Sequence, residues 1–237
     1  MEPLVETGLQ ENADFFSQLA PPLQMALILG ALGFATAAIV CVTSFTRIVI
    51  VLSFVRRALS AQEIPPNPVL IGLSFFLTLF VMGPTFDAIN KEALQPLLEA
   101  QKSEETKADF GYSQAWEVCE RELKVFMLAN TRLDDLSLFF EMSQTPAPYE
   151  AEETPLRILV PAFVISELKT AFIMGFCIYI PFLLIDLVVS TILMSLGMMM
   201  MPPVVVSTPC KLLLFVLVDG WRLISESLVA SFAAVGG

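Results

Sequence analysis

Apolar residues along this chain fall into long stretches, without the alternation of a strand or the narrow stripe of a soluble helix. The first covers residues 23–55, which is 33 residues. As one helix it would measure roughly 50 Å at about 1.5 Å per residue, against a bilayer hydrocarbon core of about 30 Å. It is too long for a simple span, carries Arg47 inside it, and ends at Arg56 and Arg57. Soon after comes A-Q-E-I-P-P-N-P, whose three prolines forbid continued helix. A second stretch covers 69–86, with Gly83-Pro84 near its end. A third covers 158–201, 44 residues broken by Glu167, Lys169, Gly175, Pro181 and Asp186. After Pro202-Pro203, the last covers 204–235 and holds Lys211, Asp219 and Arg222.

The intervening residues 87–157 read differently. They contain 15 acidic and 7 basic side chains, a net of −8. Within them Trp116, Val118, Leu123, Phe126, Met127 and Leu128 recur at mixed three- and four-residue steps. That spacing predicts a soluble amphipathic helix of roughly 20 residues. A shorter helix is predicted over 133–142, ahead of T-P-A-P. Residues 1–22 are polar and acidic and lack Lys and Arg, so no cleaved signal is recognisable there.

The pattern predicts an all-α, membrane-associated fold in four segments. Residues 1–22 form an acidic N-terminal segment, 23–86 a first apolar helical hairpin, 87–157 an acidic helical insertion, and 158–237 a second apolar hairpin. Arg56 and Arg57 open a short loop, and short loops rich in Lys and Arg face the cytoplasm. The N-terminus, the acidic insertion and the C-terminus are then expected outside.

Composition agrees. The 237 residues are 56% hydrophobic and 16% charged, with mean hydropathy +0.73, whereas soluble domains are about 45–50% apolar and about 25% charged. Histidine is absent, which removes the usual general base and the commonest metal ligand. No phosphate-cradling G-x-x-x-x-G-K-[ST] stretch occurs. A net charge of −11 argues against nucleic acid. Cys41, Cys119, Cys177 and Cys210 are widely spaced, three of them in apolar stretches. They are expected to be buried free thiols, not a disulfide frame or a metal site. No metal, cofactor or catalytic cluster is expected.

Seven charges lie in or against the apolar stretches: Arg47, Glu167, Lys169, Asp186, Lys211, Asp219 and Arg222. Each costs at least about 2.5–3.5 kcal/mol at a bilayer centre. Pairing, water, a position outside the hydrocarbon, or snorkelling at helix ends would each relieve that cost. Glu167 and Lys169, two apart, point about 200° from each other on a helix. Each needs a partner on another helix or another chain. Ser166 with Lys169 has the spacing of a Ser–Lys dyad, a spacing common by chance.

Met198, Met199, Met200 and Met201 are consecutive between Gly197 and Pro202-Pro203. Four consecutive helical positions cover the whole circumference, so they cannot all face one core. Methionine is flexible and fills irregular gaps. The run reads as a soft apolar loop: either a greasy helix end, or a deformable plug where several chains meet at an axis.

Several motifs resemble one family. T-S-F-T-R-I at 43–48, followed by P-P-N-P-V-L-I-G, is similar to the start of the flagellar biosynthetic protein FliP family. P-A-F-V-I-S-E-L-K-T-A-F-I-M-G-F at 161–176 resembles its best signature. I-P-F-L-L-I-D-L-V-V-S, G-M-M-M-M-P-P and K-L-L-L-F-V-L-V-D-G-W also match, in order, over about residues 40–232. The resemblance implies the core of the export gate of flagellar type III secretion, in the bacterial inner (cytoplasmic) membrane at the basal body. It implies a ring-like homo-oligomer of five copies with FliQ and FliR subunits around a pore, and FlhB and FlhA as further export-apparatus partners. Much of the apparently transmembrane helix would be lifted out of the lipid. The family's methionine loop falls on Met198, Met199 and Met200, with Met201 adjoining, and would seal the pore against ions while unfolded substrates pass. Glu167 and Lys169 are then expected to contact neighbouring subunits. Phe126 and Phe139 would pack helices within the ring, or pack an ordinary core within one chain. Two other readings stand beside this one: the related subunit of a virulence injectisome, and a secondary transporter with Asp186 at a midplane site. An intramembrane enzyme built on Ser166 and Lys169 is a more distant one.

Overall fold

The computed structural model describes residues 20–59, 65–102, 111–146, 148, 151–197 and 202–233, all helices and their joints without a strand among them. The chain forms two units, Met1–Val40 and Cys41–Gly237. In the first, helix α1 (Pro21–Val42) is apolar on every side and long enough to cross a membrane. The 33-residue stretch does not continue as one helix. Thr43 and Ser44 separate α1 from α2 (Phe45–Ala58), and the Phe45 amide faces the Thr43 hydroxyl at 3.5 Å.

Within the second unit, α2 is followed by α3 (Asn67–Val81), α4 (Gly83–Ile89), a wide π turn (Asn90–Leu94) and α5 (Gln95–Lys102). Helices α6 (Tyr112–Asn130) and α7 (Leu133–Ser143) realise the two predicted helices of the acidic insertion. A short 3₁₀ turn (Ala151–Glu153) leads into α8 (Leu156–Ser195), and α9 (Pro203–Leu217) and α10 (Gly220–Ala233) follow.

Helix α8 has 40 residues, roughly 60 Å at about 1.5 Å per residue. Its charges, Gly175 and Pro181 interrupt the apolar run, as the sequence implies, but they do not break the helix. A proline inside a helix removes one backbone hydrogen bond, and in apolar helices neighbouring structure re-satisfies the freed group. Two other elements do bend. The axis turns 59° between α3 and the helix after Met82, where Pro84 opens α4, and 64° between α9 and α10.

The core lies where α2 meets α8. On α2 the buried positions are Arg47, Ile48, Val51, Leu52, Val55 and Ala58, a stripe at helical spacing. Ile48, Val51, Leu52 and Val55 are fully buried, each stabilising the fold by about 1.5–3 kcal/mol. Leu70 of α3, Ala171 and Phe182 of α8, Phe215 of α9, and Ile224, Leu228 and Phe232 of α10 complete it. Helix α3 turns Leu70, Ser74 and Thr78 inward. The two hydroxyls donate to carbonyls one turn back, at 2.7 Å each, so small polar groups are buried without being orphaned. A second cluster of Met127, Leu159 and Phe163 ties α6 to the start of α8.

Helices α2 and α8 pack tightly at Gly175. A β-carbon there would lie 2.5 Å from the Phe54 ring, and Phe54 also packs edge-on against Phe172. Gly175→Ala is therefore expected to lower unfolding stability by about 1–3 kcal/mol through overpacking, measured by thermal unfolding of the purified protein. Adding Phe54→Ala should recover part of that loss, whereas equal losses from Gly175→Ala in both backgrounds would refute the contact.

Candidate functional site

Charge concentrates in the turn of α8 that holds Ser166, Glu167, Lys169 and Thr170. Glu167 points into the body toward α2. One carboxylate oxygen accepts from Arg47 Nε at 2.8 Å, and the other pairs with Arg47 Nη2. This is the bidentate fork that a planar guanidinium makes with a carboxylate. Arg47 Nη1 donates to the Ser231 carbonyl at 3.1 Å and to Ser231 Oγ at 2.9 Å. The guanidinium also lies over the Phe232 ring, 3.8 Å from its centre. Arg47 is 2% exposed and Glu167 is not exposed at all.

The opposite side of the same turn faces the acidic insertion. Ser166 Oγ donates to Asp135 Oδ2 at 2.8 Å and accepts from the Arg132 amide at 3.1 Å. Lys169 Nζ lies 3.8 Å from Asp135 Oδ1, and Arg132 donates to Thr170 Oγ1 at 3.2 Å. Asp134 and Asp135 occupy the first turn of α7, where a helix favours negative charge. One turn of α8 thus joins the apolar body to the insertion. Further along, Lys211 of α9 pairs with Asp186 of α8 at 2.5 Å. Arg222 pairs with Glu226 one turn on, and Asp219 sits in the bend before α10 with φ 51°.

Most of the seven charges named from the sequence are therefore relieved by pairing within the chain. For Glu167 the partner is on another helix of the same chain, Arg47, and the side chain is fully buried. Lys169 differs, with half its side chain exposed. Ser166 and Lys169 form no dyad, since the serine proton goes to Asp135. Phe126 is half-buried, edge-on to Phe163 at 6.0 Å and stacked on Phe232 at 6.3 Å. Phe139 is half-buried on α7, next to a groove of about 850 Å³ lined by Leu133, Leu136, Phe140, Pro146, Pro148 and Thr154. The four cysteines are free, but burial is not their common state. Cys177 and Cys210 are exposed because the outer faces of α8 and α9 have nothing packed on them in the single chain.

The methionine run, Met198 to Met201, lies outside the described residues. Its flanks are described. Helix α8 closes with the Gly197 amide bonded to the Met194 carbonyl at 3.1 Å, and Gly197 takes φ 74°, a left-handed turn that suits glycine. Pro203 then opens α9. In sequence the run lies between two apolar helices whose exposed residues include Ile192, Met194, Val204 and Val205.

A model of the FliP family matches residues 28–228. The chain belongs to the FliP family. A flagellar biosynthetic protein FliP from Bacillus subtilis is 52% identical over 229 residues, covering 94% of this chain and 100% of that protein. One from Caulobacter vibrioides is 48% identical over 91% of this chain and 78% of its own length. One from Aquifex aeolicus is 44% identical over 90% and 87%. FliP is a non-enzyme family of flagellar biosynthesis, and with these apolar helices its member here is a membrane protein. The resemblance read from the motifs is thereby established for most of the chain.

Sequence reasoning missed Ser231, Phe232, Asp135 and Arg132. The cost of a buried arginine pointed toward an acceptor such as Ser231, and that of Lys169 toward an acid such as Asp135, without saying where either lies. Ser166→Ala is expected to destabilise the protein by about 1–3 kcal/mol, because Asp135 and the Arg132 amide both lose a buried partner. Unfolding in detergent measures it, and an unchanged midpoint would show that the junction does not depend on the hydroxyl.

Proposed function

We propose that this FliP-family chain is the pore-forming subunit of the flagellar type III export gate, passing unfolded flagellar proteins across the inner membrane at the basal body. Five copies would assemble with FliQ and FliR subunits, beside FlhB and FlhA, and the methionine loop would seal the pore at rest. The observation that carries this reading is the length of α8. At roughly 60 Å, it is about twice the hydrocarbon thickness, so half of an apolar helix needs cover that lipid does not give.

Exposed apolar side chains outside the candidate spans support the same reading. In the acidic insertion Leu133 is exposed at the groove on α7, and Leu138 and Met142 are exposed elsewhere on the same helix. Lys169, exposed beside Asp135, would meet a neighbouring subunit, and Phe139 would pack within the ring. The related proteins carry flagellar names, which favours the flagellar gate over its injectisome counterpart. Without a nucleotide motif the chain gates passively, and partners supply the driving energy.

The seal makes the reading testable. Replacing Met198, Met199 and Met200 with alanine shortens the thioether side chains that would meet at the axis, so ion leak through the assembled complex should rise severalfold. Conductance equal to the unsubstituted complex would remove the gasket role.

A further inference from the structure

The buried fork between Arg47 and Glu167 is closed from one side by the last turn of α10. Ser231 supplies two acceptors to Arg47 Nη1, and Phe232 lays its ring on the guanidinium. The same α10 face buries Ile224 and Leu228 in the core. We propose that Arg47, Glu167, Ser231 and Phe232 form a clamp internal to one chain, in which Glu167 is a positioning residue that keeps α10 seated on α2 and α8 by satisfying Arg47.

The two halves of the clamp are not equivalent. An arginine stays charged in any protein environment. Without Glu167 the guanidinium has only Ser231 and Phe232 beside it, and it must leave the core for water. Its route out displaces the turn that covers it, so α10 lifts. A carboxylate has another way out. Without Arg47, Glu167 takes up a proton and stays buried as a neutral acid. Loss of the acid is therefore worse than loss of the base. Removing both ends with apolar side chains of similar size leaves no buried charge, and such replacements are often tolerated.

This asymmetry separates the clamp from a subunit contact. If Glu167 acted on a neighbour, its loss would be equally harmful whether or not Arg47 were present. The clamp belongs to one chain and does not require the gate reading: a chain that seats α10 normally yet secretes nothing would leave the clamp standing.

The test uses the full chain in membranes, with its four cysteines replaced by serine and Leu228→Cys as a reporter. Leu228 faces the core from α10 and is fully buried. The rate of labelling by a membrane-permeant maleimide reads how often α10 lifts. Glu167→Leu should raise that rate at least about tenfold, Arg47→Met less than about threefold, and the pair Arg47→Met with Glu167→Leu should return it close to the reference. A double variant labelled as fast as Glu167→Leu alone would overturn the clamp, as would Glu167→Leu labelled no faster than the reference. Should Glu167→Leu fail to accumulate, recovery of the protein level on adding Arg47→Met supports the clamp, and no recovery overturns it.

Discussion

A permanently charged side chain in an apolar body must be neutralised on the spot. Arg47 stands in the buried stripe of α2 with Ile48, Val51 and Leu52, where water cannot reach it. Leaving such a charge buried without its partner costs about 3–5 kcal/mol, a large share of the roughly 5–15 kcal/mol that separates folded from unfolded proteins. The geometry that avoids this loss brings together three helices distant in sequence: α2 with Arg47, α8 with Glu167 and α10 with Ser231. Apolar packing alone would hold these helices together but would tolerate sliding. A bidentate fork tolerates little, because its two hydrogen bonds are directional.

Helix α8 is the spine on which this arrangement rests. Residues of one turn point about 100° apart in succession, so Glu167 reaches into the apolar body while Ser166 and Lys169 reach the start of α7. The acidic insertion and the membrane body are thus attached to a single rigid rod. Further along the same rod, Asp186 takes Lys211 of α9. Neither Pro161 nor Pro181 interrupts the rod.

The helical class, the two helices of the insertion and the apolar stretches were legible in the sequence because periodicity and proline positions carry them. The position of the break in the first stretch was not. Arg47 drew attention as the interruption, yet the joint falls at Thr43 and Ser44, where the Thr43 hydroxyl faces the Phe45 amide. The partner of Glu167 was not legible either. The spacing to Lys169 excluded that pairing, but Arg47, Lys211 and Arg222 all remained possible cations until the helices were placed. Exposure of Cys177 and Cys210 was missed for a related reason. Apolar neighbours in sequence imply burial in something, and for an outer helix face that something is lipid or another chain. The methionine loop took its meaning from the family resemblance, since four adjacent methionines have no single face.

These features reduce to one requirement, that Arg47 and Glu167 answer each other within the same polypeptide. A density map of the chain purified from membranes with its neighbours measures this most directly. In every copy, Arg47 Nε should lie within hydrogen-bond distance of the Glu167 carboxylate of its own chain, with the Ser231 turn closed over it. Glu167 turned outward onto another subunit, with Arg47 held by a different group, would contradict it.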